Sequence, residues 1–270
     1  MDIAYMITFF IFGLVLGSFY NVVGLRVPKK ASIVTPASHC TNCQRRLTVV
    51  DLIPVFSYIL LRGKCRTCGV KISPIYMMTE LLTGILFAFS FWKLGISAEL
   101  VVALLFISLL IIINVSDMAY MLIPDKILLF FLPLLLVARF FSPLTPWWES
   151  IVGALVSFGI LYLIAIVSKG GIGGGDIKLF FLIGIVLGTV NSLLTLFLAS
   201  LIGMIVGIVV LKVRGQGRKT PVPFGPSIAI AAVIIYFYGE ALINWYWNIL
   251  PYSFIGGFFS IGENSIGRRG

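Results

Sequence analysis

Charge is scarce in this chain: Asp, Glu, Lys and Arg together make up 11% of 270 residues, against about a quarter in an ordinary soluble domain. With 60% hydrophobic side chains and a mean hydropathy of +1.09, it reads as a membrane protein. Histidine is nearly absent. His39 is the only one, so there is no His-Glu-x-x-His zinc-protease stretch, and a Ser-His-Asp or Cys-His arrangement is argued against as well. No Ala-x-Ala-like cleavage site follows the first apolar run, residues 3–25, which is long enough to stay in place as a signal anchor. Acids are outnumbered, 10 against 20 Lys and Arg. The cations lie mostly between apolar runs, which fits membrane orientation better than nucleic-acid binding. No internal repeat or low-complexity tract is evident.

What is abundant is uncharged sequence. A span needs about 20 apolar residues, and charge-free intervals place helices at 4–23, 75–92, 100–116, 126–141 and 151–167. The 33 uncharged residues between Lys178 and Lys212 would make a helix of about 50 Å, too long for one crossing. They read as two helices turning near Asn191-Ser192. A last helix starts near Pro226 and runs past Glu240, and the stretch 241–262, with Pro251, is either its end or a further half-span. The expected fold class is an all-α polytopic membrane protein of about eight transmembrane helices with a small cytoplasmic zinc-ribbon-like loop domain. Its parts are a first helix (1–23), a zinc-binding loop domain that holds the four cysteines (24–74), a transmembrane domain (75–262) and a tail (263–270).

The one sizeable polar segment, 24–74, carries nine Lys or Arg against a single acid, Asp51. The positive-inside rule makes it cytoplasmic. It also holds all four cysteines, as Cys40-x-x-Cys43 and Cys65-x-x-Cys68. Two such pairs have the spacing of a tetrahedral thiolate zinc site, structural because four thiolates leave no open position for water. A redox role is the alternative, and His39 reads as a surface residue.

Acids inside membrane segments are rare and usually functional. Counting crossings puts Asp117, at the end of the third helix, on the same side as Asp176, which follows five glycines in Ser168-Lys-Gly-Gly-Ile-Gly-Gly-Gly-Asp-Ile-Lys178. Glycine runs are kept where a backbone needs positive φ or must approach another closely, which beside a carboxylate suggests a peptide cleft. The alternative is that Asp176 simply N-caps the next helix. Two facing carboxylates share a proton, one activating water while the other protonates the leaving amine. Asp117 with Asp176 fits this better than Asp117 with Asp125, which Pro124 separates.

These features together resemble the type IV prepilin peptidases, bifunctional leader peptidases and N-methyltransferases of the Gly-x-Gly-Asp aspartic protease class. The resemblance rests on Gly17-Ser-Phe-Tyr-Asn-Val-Val leading to Arg26-Val-Pro28, the paired Cys-x-x-Cys, Pro54-Val-Phe-Ser-Tyr-Ile-Leu-Leu-Arg-Gly-Lys-Cys65, Asp117 to Pro124-Asp125, Gly175-Asp176-Ile-Lys178, and Thr220-Pro-Val-Pro-Phe-Gly-Pro226. It covers nearly the whole chain. It implies that Asp117 and Asp176 are catalytic, with Gly173, Gly175, Lys178 and Asp125 as motif support. It also implies cleavage of a short basic prepilin leader after a Gly, then methylation of the new N-terminus from S-adenosylmethionine. Tyr76-Met-Met-Thr-Glu80 departs from the family's frequent Tyr-Pro-x-x-Glu; analogy ties Glu80 to the cytoplasmic lobe and methyl transfer, and the alternative is an interfacial Glu near a helix end. No glycine-rich strand-turn-helix signature for the methyl donor is present. The rival reading is an ion-coupled transporter or channel with a regulatory zinc loop, which expects acids near mid-membrane. A zinc-ribbon scaffold without catalysis is a third.

Overall fold

The computed structural model describes residues 2–169, 171–214 and 223–249. The chain beyond Arg214 in the basic loop, the Thr220-Pro-Val part of the motif, Pro251 and the tail 263–270 lie outside the described residues. Within them the long helices are α1 (Asp2–Arg26), α3 (Pro74–Leu94), α4 (Ala98–Tyr120), α5 (Asp125–Phe141), α6 (Glu149–Val167), α7 (Gly174–Arg214) and α8 (Gly225–Ile249), while a 3-10 turn (Val49–Leu52) and the short helix α2 (Phe56–Leu60) lie between α1 and α3. Six of these helices are long and apolar enough to cross a membrane. The exception is α5, at 17 residues with Pro133 inside it.

The turn between the sixth and seventh expected helices falls at Gly188, not at Asn191-Ser192. Gly188 has φ +74° and ψ −174° inside α7, a conformation essentially closed to residues with a Cβ. An added Cβ there would also meet Glu149 Cγ at 2.8 Å. The same glutamate seals the turn, since its Oε1 accepts the Thr189 N–H at 2.7 Å. So α7 is two helices, and the eight expected long segments are all present.

Small residues let these helices close on each other, as in membrane bundles generally. On α1, Gly13 and Gly17 press against α3, where added Cβ atoms would stand 2.7 Å from Gly84 Cα and 2.8 Å from Glu80 Cα. Ser157 on α6 shares a 2.6 Å hydroxyl bond with Ser192. The central helix is α4, whose face from Phe106 to Ile113 is buried.

A polar brace closes the end of the bundle farthest from the cysteines. Glu99 at the start of α4 accepts from Arg139 at 2.7 Å and from Ser142 at 2.6 Å, and Tyr236 of α8 donates to its other oxygen at 2.5 Å. Arg139 also donates to the Val186 carbonyl. Four helices are thereby tied at one level.

Candidate active site and metal centre

Asp117 is not at the very end of its helix, as the apolar run suggested, but three residues inside it. Helix α4 runs on to Tyr120, and Met121 stops it with a left-handed φ of 52° and an N–H that returns to the Asp117 carbonyl at 2.8 Å. The side chain is buried, 6% exposed. Its Oδ2 accepts the Gly225 N–H at 2.7 Å, so the first turn of α8 is aimed at the carboxylate with its unpaired amides.

The site depends on Gly225 being glycine, because a Cβ there would lie 2.7 Å from Asp117 Oδ2 and 2.9 Å from Asp117 Cβ. Sequence reading passed over this residue's role. The available signal was a glycine between Phe224 and Pro226 at a helix start, which has no use unless something must come close.

Asp176 is the third residue of α7, which begins at Gly174, so it is not the N-cap. Its carboxylate folds back over Gly173, where a Cβ would sit 3.0 Å from Oδ2, in the manner of an acid at the third position of a helix reaching back to the cap. The first turn of α7 rests on the loop leaving α4: a Cβ on Gly175 would lie 2.7 Å from Ile123 Cβ, and Ser116 holds that loop by donating to the Leu122 carbonyl at 2.6 Å. Asp117 and Asp176 are thus brought together, close enough for the charge of one to act on the other.

Asp125 does not join them. It opens α5 and takes Lys178 Nζ on both carboxylate oxygens at 2.8 Å, an exposed pair that clips the start of α5 to the start of α7.

Glu80 is neither exposed nor at a free helix end. It is buried, with Oε2 accepting the Val55 N–H at 2.8 Å and a further bond to Ser18. Val55 has φ 63°, an outlier for a β-branched residue, so this acid pins a strained point of the polar lobe to α1 and α3. Nearby, Asn21 donates to the Tyr76 carbonyl at 3.2 Å.

In the lobe, the four Cys Sγ atoms lie within 4.8 Å of one another. Two contacts are 3.7 Å (Cys40 and Cys68) and 4.0 Å (Cys43 and Cys65). Zn–S bonds of about 2.3 Å at tetrahedral angles put sulfurs roughly 3.8 Å apart, so the donors fit a metal. Without a metal the thiols ionise unequally. The Val70 backbone N–H, foremost among several hydrogen bonds, lowers Cys68 to about 6. Although the Arg45 N–H pulls Cys43 down, burial and the neighbouring sulfurs push it up to about 11. A metal ion held between the four sulfurs would keep all of them as thiolates. His39 is exposed and not among the donors.

The two Cys-x-x-Cys turns are copies 25 positions apart, a repeat that the sequence hid. Cys40 N–H bonds Arg45 O at 3.0 Å and Leu47 N–H bonds Ser38 O at 2.8 Å; Cys65 N–H bonds Val70 O at 2.9 Å and Ile72 N–H bonds Gly63 O at 2.8 Å. Each needs a left-handed residue after its second Cys, Gln44 in one and Gly69 in the other. Asp51 joins the copies. It accepts from Arg45 and lies 3.3 Å from Arg66 Nε. Hydrogen bonding from Thr48, then the Arg45 guanidinium, holds its carboxyl below the usual range.

Comparison with known proteins agrees with this layout. The model of the Bacterial Peptidase A24 N-terminal domain matches residues 11–94, and that of the Type IV leader peptidase family matches 104–208. A protein of Bacillus subtilis (strain 168) named prepilin leader peptidase/N-methyltransferase is 46% identical over 237 residues, covering 88% of this chain and 96% of its own. Relatives of the same name from Pseudomonas putida and Xanthomonas campestris pv. campestris are 33% and 32% identical, over 90% and 87% of this chain and 94% and 91% of theirs. No solved structure matches. With both halves matched in order and the likeness running almost end to end, this multi-pass membrane protein belongs to the type IV leader peptidase family.

Proposed function

We propose that the chain cleaves the leader peptide of prepilins or pseudopilins at the cytoplasmic face of a bacterial cytoplasmic membrane, with Asp117 and Asp176 as the catalytic pair. The observation that carries this reading is the placing of two carboxylates from α4 and α7 at the lobe end of the bundle, within reach of each other's charge, one of them gripped by the Gly225 N–H. The charged carboxylate takes a proton from water, and the water oxygen attacks the scissile carbonyl carbon. The protonated partner gives its proton to the amide nitrogen as the C–N bond breaks. Gly173 and Gly175 allow the close approach of α7, and the Asp125–Lys178 pair sets the spacing of the two helix starts.

The bound helix of the substrate lies in the bilayer, its leader entering from the cytoplasm. The cation-rich lobe at the same end supports that orientation. The cysteines would hold zinc as a structural cross-link, since all four coordination positions are taken by protein.

Methylation of the new N-terminus rests on the names of the relatives. S-adenosylmethionine would supply the methyl group. Among the described residues no strand-turn-helix cradle for it exists, and Glu80 has one oxygen engaged by Val55. That fit belongs to a residue that anchors the lobe, so no methyl-transfer step is assigned to it.

The transporter alternative expects acids near mid-membrane, whereas these two stand within a turn of their helix ends. Purified protein incubated with a prepilin-like peptide should yield the shortened product by mass spectrometry. Asp117→Asn and Asp176→Asn should each insert normally and yield none; normal processing by either variant overturns the catalytic pair.

A further inference from the structure

The polar lobe exposes an apolar surface that none of the described residues covers. Val49, Val50, Ile53, Phe56, Ile59 and Leu60 all show large exposed areas, with Val49 at 83% and Leu60 at 78%. This is the run between the two cysteine turns. Scattered apolar residues on a surface are ordinary, but a continuous cluster of them marks a binding face.

The depth of this surface identifies what it meets. The Val55 N–H is fixed to Glu80, six residues beyond the start of α3 at Pro74, which is about 9 Å along the helix axis. Gly17 of α1 packs on that same glutamate, nine residues before α1 ends at Arg26, or about 13 Å. The chain therefore leaves the membrane helix at Arg26 and folds the cysteine turns. It then dips back alongside the last turns of α1 and the first turns of α3, carrying the apolar residues to the level of the bilayer surface. The dip is held at a cost, since Val55 keeps a positive φ.

Charge agrees with depth. Arg62, Lys64 and Lys71, which follow this run, and Lys29 and Lys30 at the exit of α1 are all exposed, and the only acid of residues 24–74 is Asp51, whose side chain is 3% exposed and already paired with Arg45 and Arg66. An apolar strip rimmed by cations with no competing acid is the pattern of an interfacial anchor on anionic lipid.

We propose that residues 49–60 form a membrane-surface anchor lying in the headgroup layer of the leaflet on the lobe side, with the surrounding lysines and Arg62 bound to anionic lipid phosphates. The lobe is then a docked body held at a fixed height beside the aspartates, and the lipid is a partner of the folded state.

The test places the photoreactive residue benzoylphenylalanine at Phe56 or Leu60 of the full-length protein, with Thr41 at an exposed turn tip as control. Each is reconstituted at one copy per nanodisc, in phosphatidylcholine alone or mixed with phosphatidylglycerol, and adducts are weighed by mass spectrometry. Expected are lipid adducts at 56 and 60 and none at 41, with about a fivefold rise in yield on adding phosphatidylglycerol, the effect of a single cation at an anionic surface. Lys64→Gln with Lys71→Gln should shrink that rise while the adducts persist. Absence of lipid adducts at both positions overturns the anchor, and a yield indifferent to lipid charge overturns the role of the cations. Adducts that form only when an apolar prepilin-like helix is added, and to that helix, make the strip a substrate surface and overturn the proposal equally.

Discussion

The Gly225 amide stands 2.7 Å from the Asp117 carboxylate across 108 residues of sequence, and the space between them admits no Cβ. Gly225→Ala should therefore displace the carboxylate without disturbing insertion. A misplacement of about 1 Å lowers rates on the order of a hundredfold, so leader cleavage by Gly225→Ala should fall by about that factor. A variant cleaving at the wild-type rate would show that Asp117 does not need this grip.

The Asp125–Lys178 pair is exposed on both sides, 59% and 53%, so its own energy is at most about 1 kcal/mol. Its value is in spacing. Lys178→Glu should reduce cleavage severalfold by setting two acids against each other at the helix starts, and Asp125→Lys with Lys178→Glu should restore most of it. No rescue in a steady-state peptide assay would mean the two residues act separately.

Asp51 makes the lobe sensitive to acid. Its folded carboxyl titrates below its ordinary 3.8, so the fold binds this proton more weakly than the unfolded chain does. The stabilisation is complete above that ordinary value and is lost as pH falls through the lowered one. Asp51→Asn leaves two arginines without their partner and should cost about 2 kcal/mol at neutral pH. The gap between the urea midpoints of wild type and variant, followed by pulse proteolysis of the lobe, should begin to narrow as pH falls below 3.8 and close below the lowered value. A gap independent of pH would place the effect in packing rather than charge.

Gly188→Ala should destabilise the bundle by roughly 1–3 kcal/mol, the cost of forcing a Cβ into a glycine-only conformation. Thermal unfolding in detergent reads this directly, and an unchanged midpoint would mean the turn relaxes freely.

Chelation tests the four sulfurs. If a metal fills the cluster, removing it should leave the two cysteine turns unlinked and open residues 38–72 to limited proteolysis while α4 to α8 stay protected. An identical digest before and after chelation would show that Asp51 and the backbone bonds suffice.

Most helices were legible because charge interrupts them: residues such as Arg26, Lys93 and Glu149 fall where the apolar runs stop. The shared side of Asp117 and Asp176 followed from counting those runs. What stayed hidden depends on shape. The fold turns at Gly188 because only glycine takes that φ, whereas Asn191-Ser192 looked polar enough to turn and instead serves helix packing through Ser192. The duplicated cysteine turns escaped notice because little beyond the cysteines recurs: the left-handed position is glutamine in one copy and glycine in the other. Gly225 was hidden because its partner is 108 residues away.

The brace around Glu99 constrains how a substrate can reach the aspartates. With α4, α5, α7 and α8 clamped at the far end of the bundle, these helices can part only as the blades of shears do, opening at the tips while the pivot holds. The tips are where Asp117 and Asp176 sit, so a few degrees of swing about Arg139 would widen the cleft most where the peptide bond must enter.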